Sequence, residues 1–357
     1  MHLNFNAQHL QDQLKSQGYL VLKKVLNPDK QIAAYQKAFI QRVDQIAETC
    51  LQERPISLPQ AYANYPFAER FAIAIGLTAG QIYAHFTPAF NLQFADFIWH
   101  SQWPSGQFPE LFDFITAPEI LDILEQVMGG EITSSALTLM NFKLNSAQLD
   151  LAKSIADQLN LALLTGWRYQ FFIEKTPWHR DVNSYPKDCY QSEIYTLWIP
   201  LSEANPENGC LQVVPGSHQI KMGERPVEAS DISEAIPLPA EVGDLVLLDR
   251  RLIHGSLMNQ TTKPRWSINF RYLPNDQPDC RPFLPRFIAR SRKNPAHEMR
   301  SASLWHEIWN RSLHYHALHG IPLDPMQIKQ MSLAEATQFG DYWRQLTPDP
   351  ESWLSLI

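Results

Sequence analysis

Histidine and carboxylate residues that could bind a metal ion occur at two places in the chain. His179 and Asp181 lie two residues apart after a largely apolar segment. On an extended chain, side chains at this spacing point to the same face, so an imidazole nitrogen and a carboxylate oxygen can meet at one point. His254 follows the apolar segment 245–248, and a neighbouring strand there would supply a third ligand. Two histidines and one carboxylate are typical of non-haem Fe(II) centres that use O2, although the pair alone equally fits a surface ion pair and a core histidine.

Segment 265–272 alternates strictly between polar and apolar residues. Arg265, Ser267, Asn269 and Arg271 share one face of the predicted strand, and the aromatic and aliphatic residues share the other. On a half-exposed strand the polar face lies in solvent, whereas in a small barrel covered by helices it lines the cavity. In the second arrangement, Arg265 could bind a carboxylate in bidentate geometry, with the Ser267 hydroxyl group as a helper.

Short segments rich in β-branched and aromatic residues follow one another after Gly130, separated by turn signals such as Asn208-Gly209 and Pro215-Gly216. This spacing predicts a mainly β core with α additions, in the form of a double-stranded β-helix (a cupin-like jelly roll). The predicted core strands are 136–143, 167–174, 193–201, 211–214, 245–248 and 266–273.

Helical patterns surround this core, and we expect one domain over residues 1–357. Residues 1–130 form a helical N-terminal part with a short strand at 19–22 and many aromatic residues at 83–114, most of which we expect to pack between helices. Residues 131–275 form the jelly-roll core, with a helical insertion at about 145–166. Residues 276–357 form a helical extension with a capping box at Ser332–Glu335.

Composition excludes several classes of protein. The chain has 357 residues, of which 45% are hydrophobic and 19% charged, so it can bury a sizeable core. Its net charge of −7 argues against a nucleic-acid partner. Dispersed cysteines, the lack of a leader-like N-terminus and the lack of long apolar runs predict a cytoplasmic protein without a membrane span. The scarcity of glycine-rich loops excludes dinucleotide and P-loop chemistry, and the oligomeric state stays open.

The chain resembles the phytanoyl-CoA dioxygenase (PhyH) family of Fe(II)/2-oxoglutarate-dependent oxygenases. The similarity covers residues 8–273 with gaps, and 144–166 and the C-terminal eighty residues have no counterpart. It rests on Gly18–Leu22, His179-x-Asp181, Asn208–His218, Gly243–Val246, His254-Gly255, Asn259 and Arg265.

The resemblance implies the cofactors and the roles of the site residues. His179, Asp181 and His254 would bind Fe(II), and Arg265 would bind the distal carboxylate of 2-oxoglutarate. Ser267 assists Arg265, while Asn141 or Lys143 adds a contact to the co-substrate. Trp198 either packs on the co-substrate or is a buried core residue.

The resemblance also implies the reaction. With O2 as oxidant, the enzyme would hydroxylate an unactivated C–H bond of a small organic or natural-product substrate, while 2-oxoglutarate becomes succinate and CO2. Halogenating relatives carry a small residue where this chain has Asp181, so the carboxylate favours hydroxylation. Desaturation, cyclisation and epoxidation use the same residues and stay open.

Two other functions fit part of the pattern. A cupin-like metal enzyme without 2-oxoglutarate shares the jelly roll but leaves Arg265 without a role. A non-catalytic jelly-roll binding protein has no need of the three metal ligands. Other candidate residues are expected to lie outside the site. His218 is expected to be a surface or structural residue, and the histidines of 314–319 to be solvated or packing residues. Arg250 and Arg251 could anchor an anionic substrate, but we expect a solvated turn there.

Overall fold

The computed structural model describes residues 6–54, 56–82, 109–163, 171–220, 226–278 and 285–309, together with Ser332 and Ala334. Within these ranges the strands form a six-stranded antiparallel sheet in the order β1-β6-β3-β8-β2-β9 and a three-stranded sheet in the order β5-β4-β7. The strands are β1 (Tyr19–Leu22), β2 (Glu131–Lys143), β3 (Tyr195–Pro200), β4 (Leu211–Val213), β5 (Ile236–Leu238), β6 (Leu245–Asp249), β7 (His254–Ser256), β8 (Arg265–Pro274) and β9 (Phe287–Ser291). The predicted mainly β core with α additions is confirmed.

Helices precede the sheets and interrupt them. They are α1 (Ala7–Gln17), α2 (Ala33–Glu53), α3 (Phe67–Leu77), α4 (Pro109–Ile115), α5 (Pro118–Met128) and α6 (Ser146–Gln158), with a π-helical turn at Pro28–Ile32 before α2. Local sequence sets their ends. The Asn6 side chain caps α1, which stops at Gly18 in the left-handed conformation, and Asn145 with Gln148 forms a capping box on α6. Among the described helices, none is both long and apolar enough to cross a bilayer.

Strand β8 is the central element of the large sheet. Its apolar face packs on the helices, where the Trp266 ring lies 4.6 Å from that of Phe39 and Phe270 lies 5.5 Å from Phe114 in an edge-to-face contact. Its polar residues are also buried, including Arg265 and Arg271 at 1% and 2% exposure. Of the two arrangements open to the alternating segment, the structure therefore has the one in which polar side chains face the interior.

Strand register brings polar residues from three strands side by side. Opposite β8, Asn141 of β2 pairs with Ser267, and Trp198 and Thr196 of β3 pair with Asn269 and Arg271. Directly opposed residues in an antiparallel pair place their side chains on the same face of the sheet. The large sheet thus builds one polar inner wall.

The structure differs from two local expectations. The described end of the predicted strand 167–174 starts with a helical turn at Phe171 and Phe172. The extension 276–357 is not wholly helical, because β9 pairs with β2 and buries alternate residues against the sheet. Other expectations lie outside the described residues: the aromatic residues of 83–108, the histidines of 314–319 and two of the four residues of the capping box, 333 and 335.

Candidate functional site

The three predicted metal ligands come together. His179 and His254 exchange two backbone hydrogen bonds, of 2.9 and 3.0 Å, and their rings lie 4.2 Å apart. Asp181 opens a short 3-10 turn two residues after His179. Its Oδ1 lies 3.4 Å from Nε2 of His179 and 3.9 Å from Nε2 of His254. One ligand atom from each residue falls within 4.8 Å of the others, as a shared metal ion requires.

Backbone carbonyl groups fix the orientation of both imidazole rings. Nδ1 of His179 lies 2.8 Å from the carbonyl oxygen of Pro177, and Nδ1 of His254 lies 3.0 Å from that of Leu252. Since a carbonyl oxygen only accepts, each Nδ1 carries a proton, and Nε2 is the nitrogen of each neutral ring that offers a lone pair. Burial lowers the pKa of His254 to about 4, which favours the neutral, metal-binding form.

Asp181 divides its two oxygens between different partners. Oδ2 accepts hydrogen bonds from Oγ1 of Thr196 at 2.5 Å and from Nη2 of Arg271 at 3.0 Å. Burial alone would raise the pKa of Asp181, but the positive charge of Arg271 and the adjacent imidazole of His179 hold it well below its ordinary value. The carboxylate is therefore ionised, and Oδ1 stays directed at the imidazoles.

Arg265 is fixed within the barrel wall. Its Nε donates to the Gly209 carbonyl oxygen at 2.8 Å, and its Nη1 donates to Oγ of Ser267 at 2.6 Å. The guanidinium carbon lies 5.8 Å from the centre of the Trp198 ring. Burial lowers the pKa of Arg265 only to about 10, so its side chain is cationic near neutral pH. These contacts leave Arg265 pre-positioned to bind an anion.

Gly209 is required by its backbone conformation. Its φ is +94°, and a Cβ atom added there would lie 2.7 Å from the Leu257 carbonyl oxygen. Because its own carbonyl oxygen accepts from Arg265, this glycine determines where the guanidinium lies.

A pocket of about 350 Å³ joins the metal ligands and Arg265. Both sheets contribute to its lining, which also includes Asn141, Trp198, Asn269 and Arg271. Ser267 is not among its lining residues and touches the site through Arg265.

Lys143 is also not among the lining residues that the structure describes. Its Nζ donates to the Phe171 carbonyl oxygen at 2.5 Å. Burial, together with the positive charge of Arg265, lowers its pKa well below the usual lysine value.

The structure adds residues that the sequence argument did not select. Thr196 holds the metal-facing carboxylate, and Phe171 packs edge-on against His179 at 4.9 Å. Strand alternation places Thr196 on the same face as Trp198, which is the signal that could have identified it. Phe171 lies in a helical turn and carried no such signal.

Three residues outside the pocket had been expected to be structural or solvated. His218 is structural, with Nε2 at 3.0 Å from the Lys15 carbonyl oxygen. Arg251 is paired with Asp249 at 2.6 Å on a partly exposed turn. The expectation for Arg250 was wrong: it is 1% exposed, bonded to the Cys189 carbonyl oxygen.

Comparison with known proteins points to one family. Residues 111–267, which include all three histidine and aspartate ligands and Arg265, match the model of the phytanoyl-CoA dioxygenase (PhyH) family. Phytanoyl-CoA dioxygenase 1 from Oryza sativa subsp. japonica is 30% identical over 92 residues, which are 22% of this chain and 33% of that protein. Peroxisomal phytanoyl-CoA dioxygenase from Homo sapiens is 25% identical over 182 residues, 47% of either chain.

The matched part of the chain spans between a third and a half of the length of these relatives. Among solved structures, the non-heme monooxygenase ThoJ in its apo form has a similar fold, with a TM-score of 0.50 and 14% identity over 95% of this chain and 100% of ThoJ. The family model and the sequence relatives agree: residues 111–267 of the chain are similar to the phytanoyl-CoA dioxygenase (PhyH) family.

Proposed function

We propose that this protein is an Fe(II)/2-oxoglutarate-dependent oxygenase that hydroxylates an unactivated C–H bond of a small organic substrate. One observation carries the proposal: the His179, Asp181 and His254 ligand atoms share a single pocket with the buried guanidinium of Arg265. Similarity of residues 111–267 to the PhyH family supports the same reaction class.

The ligand atoms suit a divalent iron ion. Nε2 of His179 is buried and has no hydrogen-bond partner among the described residues, although an unpaired buried nitrogen is costly. A metal ion would satisfy it together with Nε2 of His254 and Oδ1 of Asp181. Two neutral imidazoles and one carboxylate on one side of the ion leave positions open for other ligands.

Arg265 suits one end of 2-oxoglutarate. Ser267 and Gly209 hold the guanidinium, so little ordering remains to be done when a carboxylate binds. Trp198 forms the wall beneath it, and Asn141 offers a further polar group. We propose that Ser267, Lys143, Asn141 and Trp198 shape this end of the pocket without binding the metal.

These contacts indicate what the cofactors would contribute to the reaction and what the protein side chains would contribute. When bound, Fe(II), 2-oxoglutarate and O2 supply a two-electron oxidation of a C–H bond, coupled to formation of succinate and CO2. The chain holds Asp181 ionised through Arg271 and Thr196, and backbone carbonyl groups hold Nδ1 of both histidines, so that Nε2 is the nitrogen that faces the proposed metal position.

A small molecule fits the pocket as substrate. The pocket is lined by buried side chains of both sheets, among them Trp198 and His254. Cys50, Cys189 and Cys210 are free thiols, which supports a reducing, cytoplasmic location.

The test is an anaerobic titration of the protein with Fe(II) and then with 2-oxoglutarate, followed by visible absorption. We expect a metal-to-ligand charge-transfer band that needs both additions. His179→Ala and Asp181→Ala should abolish the band and succinate release while leaving the circular dichroism spectrum unchanged. His297→Gln, which alters an exposed histidine outside the pocket, is the matched control.

Each other result rejects the proposal. Iron binding without the band on adding 2-oxoglutarate would indicate a cupin-like metal enzyme. Failure to bind iron would indicate a non-catalytic binding protein. Full activity in both alanine variants would show that the metal site lies elsewhere.

A further inference from the structure

Arg271 is a second buried cation in the pocket, on the same strand face as Arg265. The two residues are six positions apart, so their Cα atoms are roughly 20 Å apart along an extended strand. Arg271 is 2% exposed and lines the pocket beside Asp181. It therefore lies beside the metal ligands, at a distance from the site proposed for the distal carboxylate.

The guanidinium of Arg271 is only partly used. Nη2 donates to Asp181, but Nε and Nη1 are buried without a hydrogen-bond partner among the described residues. A buried charged donor left unpaired costs more than a neutral one. An anionic acceptor in the pocket would remove that cost.

The neighbouring wall is polar as well. Oδ1 of Asn269 and Oδ1 of Asn141 are buried and have no partner among the described residues. Both residues line the same pocket as Arg271. Both atoms are hydrogen-bond acceptors, so they fit an occupant that also carries a donor, such as a hydroxyl group.

Charge balance favours a negatively charged occupant beside Arg271, given the proposed function. A divalent metal ion and the guanidinium groups of Arg265 and Arg271 exceed the charge of Asp181 and a dicarboxylate co-substrate by one positive charge. Buried charges are stable only when they are paired. One further negative charge would balance the loaded pocket.

We propose that Arg271 binds a carboxylate group of the substrate, so that the enzyme selects small carboxylic acids. This inference rests on the proposed function for the position of the metal and of 2-oxoglutarate. The substrate carboxylate takes the free nitrogens of Arg271, while Nη2 stays on Asp181.

Matched acid and amide probes test this role. The probes are 3-phenylpropanoate with 3-phenylpropanamide, and hexanoate with hexanamide, added to protein saturated with Mn(II) and 2-oxoglutarate. Binding is followed by the paramagnetic relaxation of probe protons. For at least one pair, we expect the acid to bind the wild type about tenfold or more tightly than the amide, as for a charged hydrogen bond.

Two variants and a control isolate Arg271. Arg271→Gln should abolish the preference for the acid, and Arg271→Lys should keep part of it because the charge remains. Arg292→Gln removes the same charge from a side chain that is 62% exposed and paired with Glu125, and it should behave as the wild type. Mn(II) and 2-oxoglutarate affinities are measured first for each protein, so that every titration starts from the saturated complex.

Three results would overturn the proposal. The first is that the wild type shows no preference for the acid in either pair. The second is that the preference persists in Arg271→Gln. The third is that Arg271→Gln loses 2-oxoglutarate affinity while the preference stays intact. The last result would assign Arg271 to the co-substrate. If the wild type fails to bind Mn(II) or 2-oxoglutarate, the proposed function fails. The acid and amide titrations are then followed by calorimetry on the metal-free wild type and Arg271→Gln, and they still decide the role of Arg271.

Discussion

His179 and His254 face each other as a hydrogen-bonded antiparallel pair, in which each residue donates its backbone N–H to the carbonyl oxygen of the other. Side chains of such a pair project to one face, which explains why the imidazole rings lie only 4.2 Å apart. The proposed metal site is thus built into the pairing between the segment around His179 and β7, which positions both imidazole rings.

Replacing Arg265 should separate co-substrate binding from metal binding. Arg265→Ala removes the buried guanidinium that Gly209 and Ser267 hold in the pocket. We expect the dissociation constant of 2-oxoglutarate to rise about 100-fold or more, because two charge-assisted hydrogen bonds are lost. The Fe(II) affinity should change much less. Anaerobic absorption titrations measure both constants, and an unchanged 2-oxoglutarate affinity would make Arg271 the next candidate.

Removing one hydroxyl group should weaken the metal site. Thr196→Val keeps the side-chain shape but deletes the hydrogen bond to Oδ2 of Asp181. Loss of such a supporting contact typically costs about 10–100-fold in metal affinity, and we expect that range here. Competition with a chelator measures it. Thr133→Val, which removes a bond to Asn275 outside the pocket, is the control. Equal metal affinity in the two variants would contradict the role of Thr196.

A backbone substitution should disturb co-substrate binding from a distance. Gly209→Ala places a Cβ atom 2.7 Å from the Leu257 carbonyl oxygen at a φ of +94°. We expect destabilisation of about 1–3 kcal/mol and weaker 2-oxoglutarate binding, because the carbonyl oxygen that holds Arg265 must shift. Gly129→Ala has a similar φ of +87° with nothing within 4 Å of the added atom. Thermal unfolding of both variants measures the backbone strain, and titration with 2-oxoglutarate measures the effect of displacing the Gly209 carbonyl oxygen. Identical 2-oxoglutarate affinities in the two variants would refute the role of this carbonyl group.

Stability of the metal-free protein should depend on pH through His254. Burial lowers the pKa of this residue from 6.5 to about 4. Between these values the unfolded chain binds a proton that the folded protein does not, so the free energy of unfolding decreases as the pH falls. The decrease reaches at most about 3 kcal/mol, at about 1.4 kcal/mol per pKa unit.

Urea denaturation at pH 7 and pH 4.5 measures the effect. His254→Gln should lose this share of the pH dependence, and the exposed His297→Gln should keep it. The same slope in both variants would show that His254 titrates normally in the folded protein.

Much of the molecule could be predicted from local pattern. Alternation predicted β8, short apolar segments predicted β3, β4 and β6, and turn dipeptides marked their ends. Strands β5, β7 and β9 were not predicted, because β5 contains a proline, β7 contains a glycine, and β9 ends in an arginine and a serine. Pairing with β4 or β2 holds them in extended form. The division of the chain into parts, and the assignment of roles to the site residues, stay predictions.

The sequence by itself determined which residue types are available for chemistry: the spacing of His179 and Asp181, and the alternation that puts Arg265 and Arg271 on one face. Only the tertiary structure decided which way that face points, because helix packing on the aromatic side of β8 forces its polar side inward. It also decided the partners of each polar group. Thr196 meets Asp181, and two nitrogens of Arg271 have no partner among the residues that the structure describes, because strand pairing brings together residues that are far apart in the chain.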